Sequence, residues 1–304
     1  MREQKVGSGE SVIAIVKGGL GNQLFIYAAA RAFALRTGRK LFLDSIRGFQ
    51  KDGYGRQYRL DRFPIQAATM PEEWKIAPDL KHLRHKTIRA FNKFLPRESR
   101  SYLSEIREQG AEQLTALFPI KSRVTLLGYW QDEDYFSDFS LQIRDELAVP
   151  APSDSRNSEA GKRYSEIESV SLHIRRVRYN PCLTSDYYQK AIGKIKERIA
   201  NPHFVVFGDD PEWARRELDF GGCGMDLVTH NPEDELADLW LMGQCRHAIV
   251  ANSSFSWWGA WLGGRHEDQA VCFPSEPALP IRSARGWHRI PNLVHWNQEG
   301  NSLT

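Results

Sequence analysis

Cysteine is scarce in this chain of 304 residues, which has four, Cys182, Cys223, Cys245 and Cys272. No two of them stand at C-x-x-C spacing, so neither a zinc ribbon nor a compact disulfide framework is expected, and they read as reduced, partly buried thiols. Long apolar runs are missing too: no stretch approaches the roughly 20 residues that a bilayer-spanning helix requires. The first ten residues, MREQKVGSGE, lack the apolar core of a signal peptide, and a cytoplasmic location is the expectation. Net charge is also small, +3 from 41 basic and 38 acidic residues, which gives no electrostatic reason to expect nucleic acid as a partner.

What is present is an ordinary globular composition, with 41% hydrophobic and 26% charged residues. The length suggests one large or two medium domains. SVIAIVK (11–17) reads as a strand, GGLGNQ (18–23) as a turn, LFIYAAARAFALRTG as a helix of small residues and KLFLD (40–44) as a second strand. Residues 45–118 read as a loop followed by mostly helical sequence. RVTLLGYW (123–130) is a further strand, and DEDYFSDFSLQIRDEL begins a helix at a capping Asp132. Residues 151–163 are rich in Pro, Ser, Asn and charge without apolar periodicity, so they read as a linker between domains at 1–150 and 164–304. From 170 onward, strands and helices alternate regularly, the pattern of a doubly wound parallel sheet. The expected fold is therefore α/β, with two Rossmann-like domains whose parallel sheets face a cleft.

Three motifs carry chemistry. In Gly18-Gly19-Leu20-Gly21-Asn22-Gln23, glycines let a helix N-terminus approach a polar or anionic ligand. With Asp44 at the end of the second strand it also suggests an NAD-type fingerprint, although Leu24 stands where the third glycine belongs. In His173-Ile174-Arg175-Arg176, strand alternation puts His173 and Arg175 on one face and Arg176 on the other. A guanidinium there can grip a diphosphate and stabilise the charge that grows on it as a glycosyl bond breaks. In Asn252-Ser253-Ser254-Phe255-Ser256, small polar residues run into a helix N-terminus, which makes a phosphate seat. Trp257, Trp258 and Trp261 beyond it read as core. Asp132-Glu133-Asp134 matches a metal-binding D-x-D pattern but sits at a helix start, where capping is the expected role.

GGLGNQLF-YAAARA, SLHIRR and DLWLMGQCRHAIVANSSFSWWGAWLG, in this order between about residues 11 and 275, resemble the α-1,2-fucosyltransferases of glycosyltransferase family 11. GYWQ (128–131) and SDYYQKAI (185–192) are similar to family segments as well. The resemblance implies a GT-B fold, with GDP-fucose as donor bound in the second half and a galactose-terminated glycan as acceptor. It implies that Arg175 contacts the β-phosphate, that His173 and Asp238 lie near guanine, that Ser253, Ser254 and Phe255 line the diphosphate and fucose, and that Arg176 and Asn252 belong to the same donor-binding set. Asn22 would act from the first domain as a second catalytic group, and Tyr129, Trp130 and Gln131 are the acceptor candidates. No metal or other cofactor is implied.

One position departs from the family. The pattern H-x-R-R-G-D-Y reads His173-Ile174-Arg175-Arg176-Val177-Arg178-Tyr179 here, so Arg178 replaces an acid and the catalytic base is unassigned. The implied reaction is a single displacement with inversion at the anomeric carbon. A catalytically silent GDP-sugar-binding protein and an NAD-dependent oxidoreductase are the competing readings. A basic amphipathic stretch at 80–100, with Arg84, Lys86 and Arg89 among its cations, reads first as a solvated helix face packed by its apolar stripe, with contact to anionic membrane and a lipid-linked acceptor on its inner face as the functional alternative.

Overall fold

The computed structural model describes residues 11–50, 52–70, 104–107, 124–177, 182–264, 268–276, 280–292 and 294–295. The chain divides into two units, Met1–Leu147 and Ala148–Thr304. The basic stretch at 80–100 and Arg178 lie outside the described residues.

In the first unit, strands β1 (Ser11–Ile15), β2 (Lys40–Asp44), β3 (Ala68–Thr69), β4 (Ser104–Arg107) and β5 (Val124–Leu127) form one sheet in the order β3-β2-β1-β5-β4. Every neighbouring pair is parallel. β1 is buried along its whole length, as expected of a central parallel strand covered on both faces. Helix α1 (Leu20–Thr37) follows at once and ends on Gly38 in the left-handed conformation. Its run of alanines, Ala28, Ala29, Ala30, Ala32 and Ala34, is buried, so the helix is apolar on nearly every side. Tyr27 and Arg31 of this helix meet Glu146 of α2 (Ser140–Glu146), the tyrosine hydroxyl donating at 2.5 Å and the guanidinium at 2.8–3.1 Å. The basic partner and these donors hold the Glu146 carboxyl below its usual range despite burial. β3 and β4 fall in the stretch expected to be loop and helix, and are corrections to it.

In the second unit the strands are β6 (Ser169–Ile174), β8 (His203–Gly208), β9 (Met225–Leu227), β10 (His247–Ile249), β11 (Val271–Pro274) and β12 (His288–Ile290); the short β7 (Cys182–Leu183), between β6 and β8 in the chain, pairs antiparallel with β13 (Val294–His295). The main sheet runs β9-β8-β6-β10-β11-β12, all parallel. That is the 3-2-1-4-5-6 order of the doubly wound nucleotide-binding folds, whose switch point lies between the first and fourth strands. Here those strands are β6 and β10. One sheet face buries Val170, Leu172, Ile174, Phe204 and Val206 against α4 (Ser185–Lys196) and α5 (Pro211–Glu217). The other packs Val205 and Phe207 against α3 (Ser155–Glu166) and α6 (Glu235–Gln244). Helix α7 (Ser254–Gly263) follows β10, and its Trp257, Trp258 and Trp261 are core, as expected.

The segment expected to be a linker is largely α3, capped by Asp154, whose carboxylate accepts the Asn157 N–H at 2.8 Å. Its buried positions, Asn157, Gly161 and Tyr164, keep helical spacing, but two of the three residues are types associated with turns. Gly161 lies flat on Trp240, where an added Cβ would come within 2.3 Å of the indole. Gly161→Val should therefore lower unfolding stability by about 1–3 kcal/mol through overpacking. An unchanged denaturation midpoint would show that α3 does not depend on this approach.

Candidate functional site

The switch point of the second sheet gathers most of the candidate donor residues. His173 is buried near the carboxyl end of β6, and its ring lies 5.7 Å from that of Phe255, in the first turn of α7 beyond β10. Adjacent strands diverge there, and the crevice beyond their carboxyl ends is where open α/β sheets take ligands. Burial and the neighbouring Arg175 charge drive the His173 pKa down to about 3, so its ring is neutral at physiological pH. Its Nδ1 is buried without a hydrogen-bond partner. A buried ring nitrogen left in that state fits a position awaiting a ligand.

Arg175 follows on the next turn of chain. Its guanidinium Nη1 donates to Asp209 Oδ2 at 2.9 Å, while Asp209 Oδ1 accepts the Arg176 backbone N–H at 2.8 Å. One carboxylate thus fixes both the backbone and the head group, and leaves the guanidinium 40% exposed. Asp209 was not singled out in the sequence, where it falls at the end of the HFVVFGDD strand. Gly208 makes the placement feasible. Its φ is +125°, and a Cβ there would sit 1.8 Å from the Ile174 carbonyl oxygen, so only glycine lets β8 end against β6 at this level.

Arg176 goes elsewhere, as strand alternation required. Its guanidinium lies 4.2 Å above the Trp213 ring on the opposite face of the sheet, which separates it from the residues it was grouped with for donor binding.

On the far side of the switch point, Asn252 is buried and Ser253 caps α7 without its hydroxyl accepting any helix N–H. Ser256, by contrast, is used by the fold: its hydroxyl accepts the Ala251 N–H at 2.8 Å. Ser253 and Ser254 are half-buried and stand where the first N–H groups of a helix lack intrahelical acceptors, a natural seat for an anion.

Asp238 belongs to a second polar cluster on the same edge of the sheet. It lies in the first turn of α6, and Asn231 Nδ2 donates to its Oδ1 at 2.9 Å. Burial pushes its pKa up to about 6, against the lowering effect of the Asn231 bond. It is therefore ionised at neutral pH and close to titrating.

In the first unit, candidate residues gather at the corresponding turn of the sheet, beyond β1 and β5. Gln131 Nε2 donates to Asn22 Oδ1 at 2.7 Å, and the Lys17 ammonium lies 4.4 Å from the centre of the Tyr129 ring. Gln23, the last residue of the first motif, is buried and ties the loops together, donating to the Gly18 and Gln57 carbonyls and accepting the Arg59 N–H. Trp130 has to be removed from the acceptor candidates. Its φ is +55° and its indole is wholly buried, edge-on to Tyr135 at 5.2 Å.

The NAD-type reading loses its acid. Asp44 Oδ1 accepts the Ile46 and Arg47 N–H groups at 3.1 and 2.9 Å, and its Oδ2 pairs with the Arg47 guanidinium. Asp132 caps the turn that follows it by accepting the Asp134 N–H at 3.0 Å. Among the described residues, no group of three or more His, Cys, Asp or Glu is assembled that could hold a metal ion.

Comparison with known proteins agrees with this layout. The chain is 33% identical over 265 residues to an α-1,2-colitosyltransferase of Escherichia coli, covering 83% of this chain and 87% of that one. It is 31% identical to the O-antigen biosynthesis glycosyltransferase WbnK of Escherichia coli, over 85% and 92% of the two chains. With the galactoside 2-α-L-fucosyltransferase SEC1 of Bos taurus it shares 25% identity, over 82% of this chain and 63% of that one. In fold it is similar to a mutant of Arabidopsis thaliana FUT1 in complex with GDP, with a TM-score of 0.54 at 14% identity over 90% and 72% of the chains. The two parallel α/β units are thus of GT-B type. The model of glycosyl transferase family 11 matches residues 11–275, a span holding both sheet switch points, and the chain belongs to that family of glycosyltransferases.

Proposed function

We propose that this glycosyltransferase moves L-fucose from GDP-fucose to the 2-hydroxyl of a terminal galactose, with inversion, giving an α-1,2 linkage. The observation that carries the reading is the convergence of His173, Arg175 and the Asn252–Phe255 segment at one switch point. In this reading the diphosphate lies between the Arg175 guanidinium and the N-terminus of α7. As the anomeric bond breaks, negative charge grows on the leaving diphosphate, and a guanidinium already oriented by Asp209 stabilises it without reorganising. Asp238 accepts the N1–H and 2-amino hydrogens of guanine, and His173 closes the base side as a neutral ring. Asn22, Tyr129 and Gln131 serve the acceptor.

The diphosphate charge is met by arginine and helix N–H groups, so turnover should persist in EDTA. Relatives that act as an α-1,2-colitosyltransferase and in O-antigen biosynthesis support a polysaccharide precursor as acceptor. They also support a second reading of the donor sugar as colitose, which is fucose without its 3-hydroxyl. Among the described residues no helix is long and apolar enough to cross a membrane, and we place the reaction at the cytoplasmic face, where a lipid-carried precursor is reached from solution.

The test supplies GDP-fucose or GDP-colitose with a β-galactoside in EDTA and analyses the product linkage. An α-1,2-fucosylated product supports the first reading, and preferential use of GDP-colitose moves the assignment to the second. Donor binding with no transfer to any galactoside would return the chain to a silent sugar-nucleotide binder.

A further inference from the structure

Behind the Asp238 carboxylate stands a reciprocal pair of asparagine amides. Asn157, 3% exposed in the first turn of α3, donates from Nδ2 to Asn231 Oδ1 at 3.0 Å, and Asn231 Nδ2 donates back to Asn157 Oδ1 at 3.1 Å. Each amide nitrogen has a second hydrogen. That of Asn157 goes to Asp154 Oδ2 at 2.9 Å, and that of Asn231 goes to Asp238 Oδ1 at 2.9 Å. Asn157 Oδ1 also meets His230 Nε2 at 3.0 Å. Burial and the Arg156 charge keep the His230 pKa below its usual value, only partly offset by Asp154, so the neutral ring donates through Nε2–H.

This wiring has a single polarity. Turning the Asn231 amide over would set its carbonyl oxygen against the Asp238 carboxylate and leave Asn157 facing like against like. The pair is pinned at one end by the Asp154 cap of α3 and delivers one fixed N–H to Asp238 at the other. A carboxylate oxygen has room for more than one donor, so the bond sets the rotation of the Asp238 carboxylate without consuming it. Asp154, Asn157, His230 and Asn231, though not Asp238, line a cavity of about 330 Å³ together with Arg156 and Asp234. Its wall joins the N-termini of α3 and α6 to the loop after β9. Both helices enter parallel strands, so this is the carboxyl edge of the sheet, where His173 and Arg175 also stand. The size lies within the range of small-molecule sites.

We infer that the Asn157–Asn231 amide pair is a positioning device for recognition of the donor's base. It holds the Asp238 carboxylate in the rotation that accepts the N1–H and 2-amino group of a guanine. The inference rests on the reading of Asp238 as the guanine acceptor, and its test separates the two. Neither asparagine touches the reacting atoms, so the signature is a change in base discrimination rather than in chemistry.

The experiment is a calorimetric titration of the full chain with GDP and with IDP, which lacks only the 2-amino group. The unsubstituted protein should prefer GDP by roughly tenfold, the worth of one hydrogen bond to a charged group. Asp238→Asn should abolish the preference. Asn231→Leu, which keeps the approximate volume and removes the donor without adding charge, and Asn231→Ala should each bring the ratio below about threefold. Adding either to Asp238→Asn should change the ratio no further. A purely structural pair would lower the thermal midpoint and weaken GDP and IDP equally, leaving their ratio intact. An intact ratio in both Asn231 variants, with the preference lost in Asp238→Asn, overturns the positioning role and leaves the guanine reading standing. A preference retained in Asp238→Asn overturns that reading and the inference with it.

Discussion

Arg175→Ala is expected to reduce kcat by about 10²–10³ while leaving the far-ultraviolet circular dichroism and unfolding midpoint unchanged. The Arg175 side chain is 40% exposed, so its removal leaves no core cavity. What disappears is a fixed positive charge beside a leaving group that becomes more negative in the transition state than in the bound donor. Stabilisation of that kind acts on kcat more than on donor affinity. Arg175→Lys should recover part of the loss, because an ammonium supplies charge without the planar fork. A steady-state comparison of the three proteins with saturating acceptor provides the check, and wild-type turnover in the alanine variant would remove Arg175 from the mechanism.

The second large effect is placed on Asp209, which touches nothing that reacts. Asp209→Ala is expected to lower kcat/KM by about 10–10², since both the Arg176 N–H and the Arg175 guanidinium lose their acceptor. Asp209→Asn should fall between. Its remaining carbonyl oxygen can still take one of the two donors, but the charge that orients the arginine is gone. In the Arg175→Ala background the Asp209 substitution should add little, because residues acting through one another are not additive. Full additivity of the two effects would mean that Asp209 works by some route other than holding Arg175.

The sequence reading of the strands succeeded where burial on both faces writes a continuous apolar run, as in Ser11–Ile15 and His203–Gly208. It failed at β3 and β4, whose segments Ala68–Thr69 and Ser104–Arg107 carry no such apolar run. The supposed linker is the instructive error. α3 buries Asn157 and Gly161 because one is needed for an amide pair and the other for close approach to Trp240, and both substitute for the apolar residues that periodicity looks for. The site was legible in the same uneven way. His173, Arg175 and the serine run announce themselves by residue type and position. Asp209 and Asn231 act at second hand, through pairings 34 and 7 residues distant in sequence, and spacing carries no trace of such partners. Trp130 was misassigned because an aromatic beside a strand end looks like a sugar platform, whereas its left-handed backbone turns it into the core.

The central claim is that GDP is held at the switch point of the second sheet by groups the fold has already oriented. A crystal structure of the full chain soaked with GDP tests it most directly. The account predicts diphosphate density between the Arg175 guanidinium and the N-terminus of α7, with the guanine edge on Asp238. GDP bound instead at the Gly18–Gln23 turn of the first unit, with the Arg175–Asp209 pair undisturbed, would contradict it.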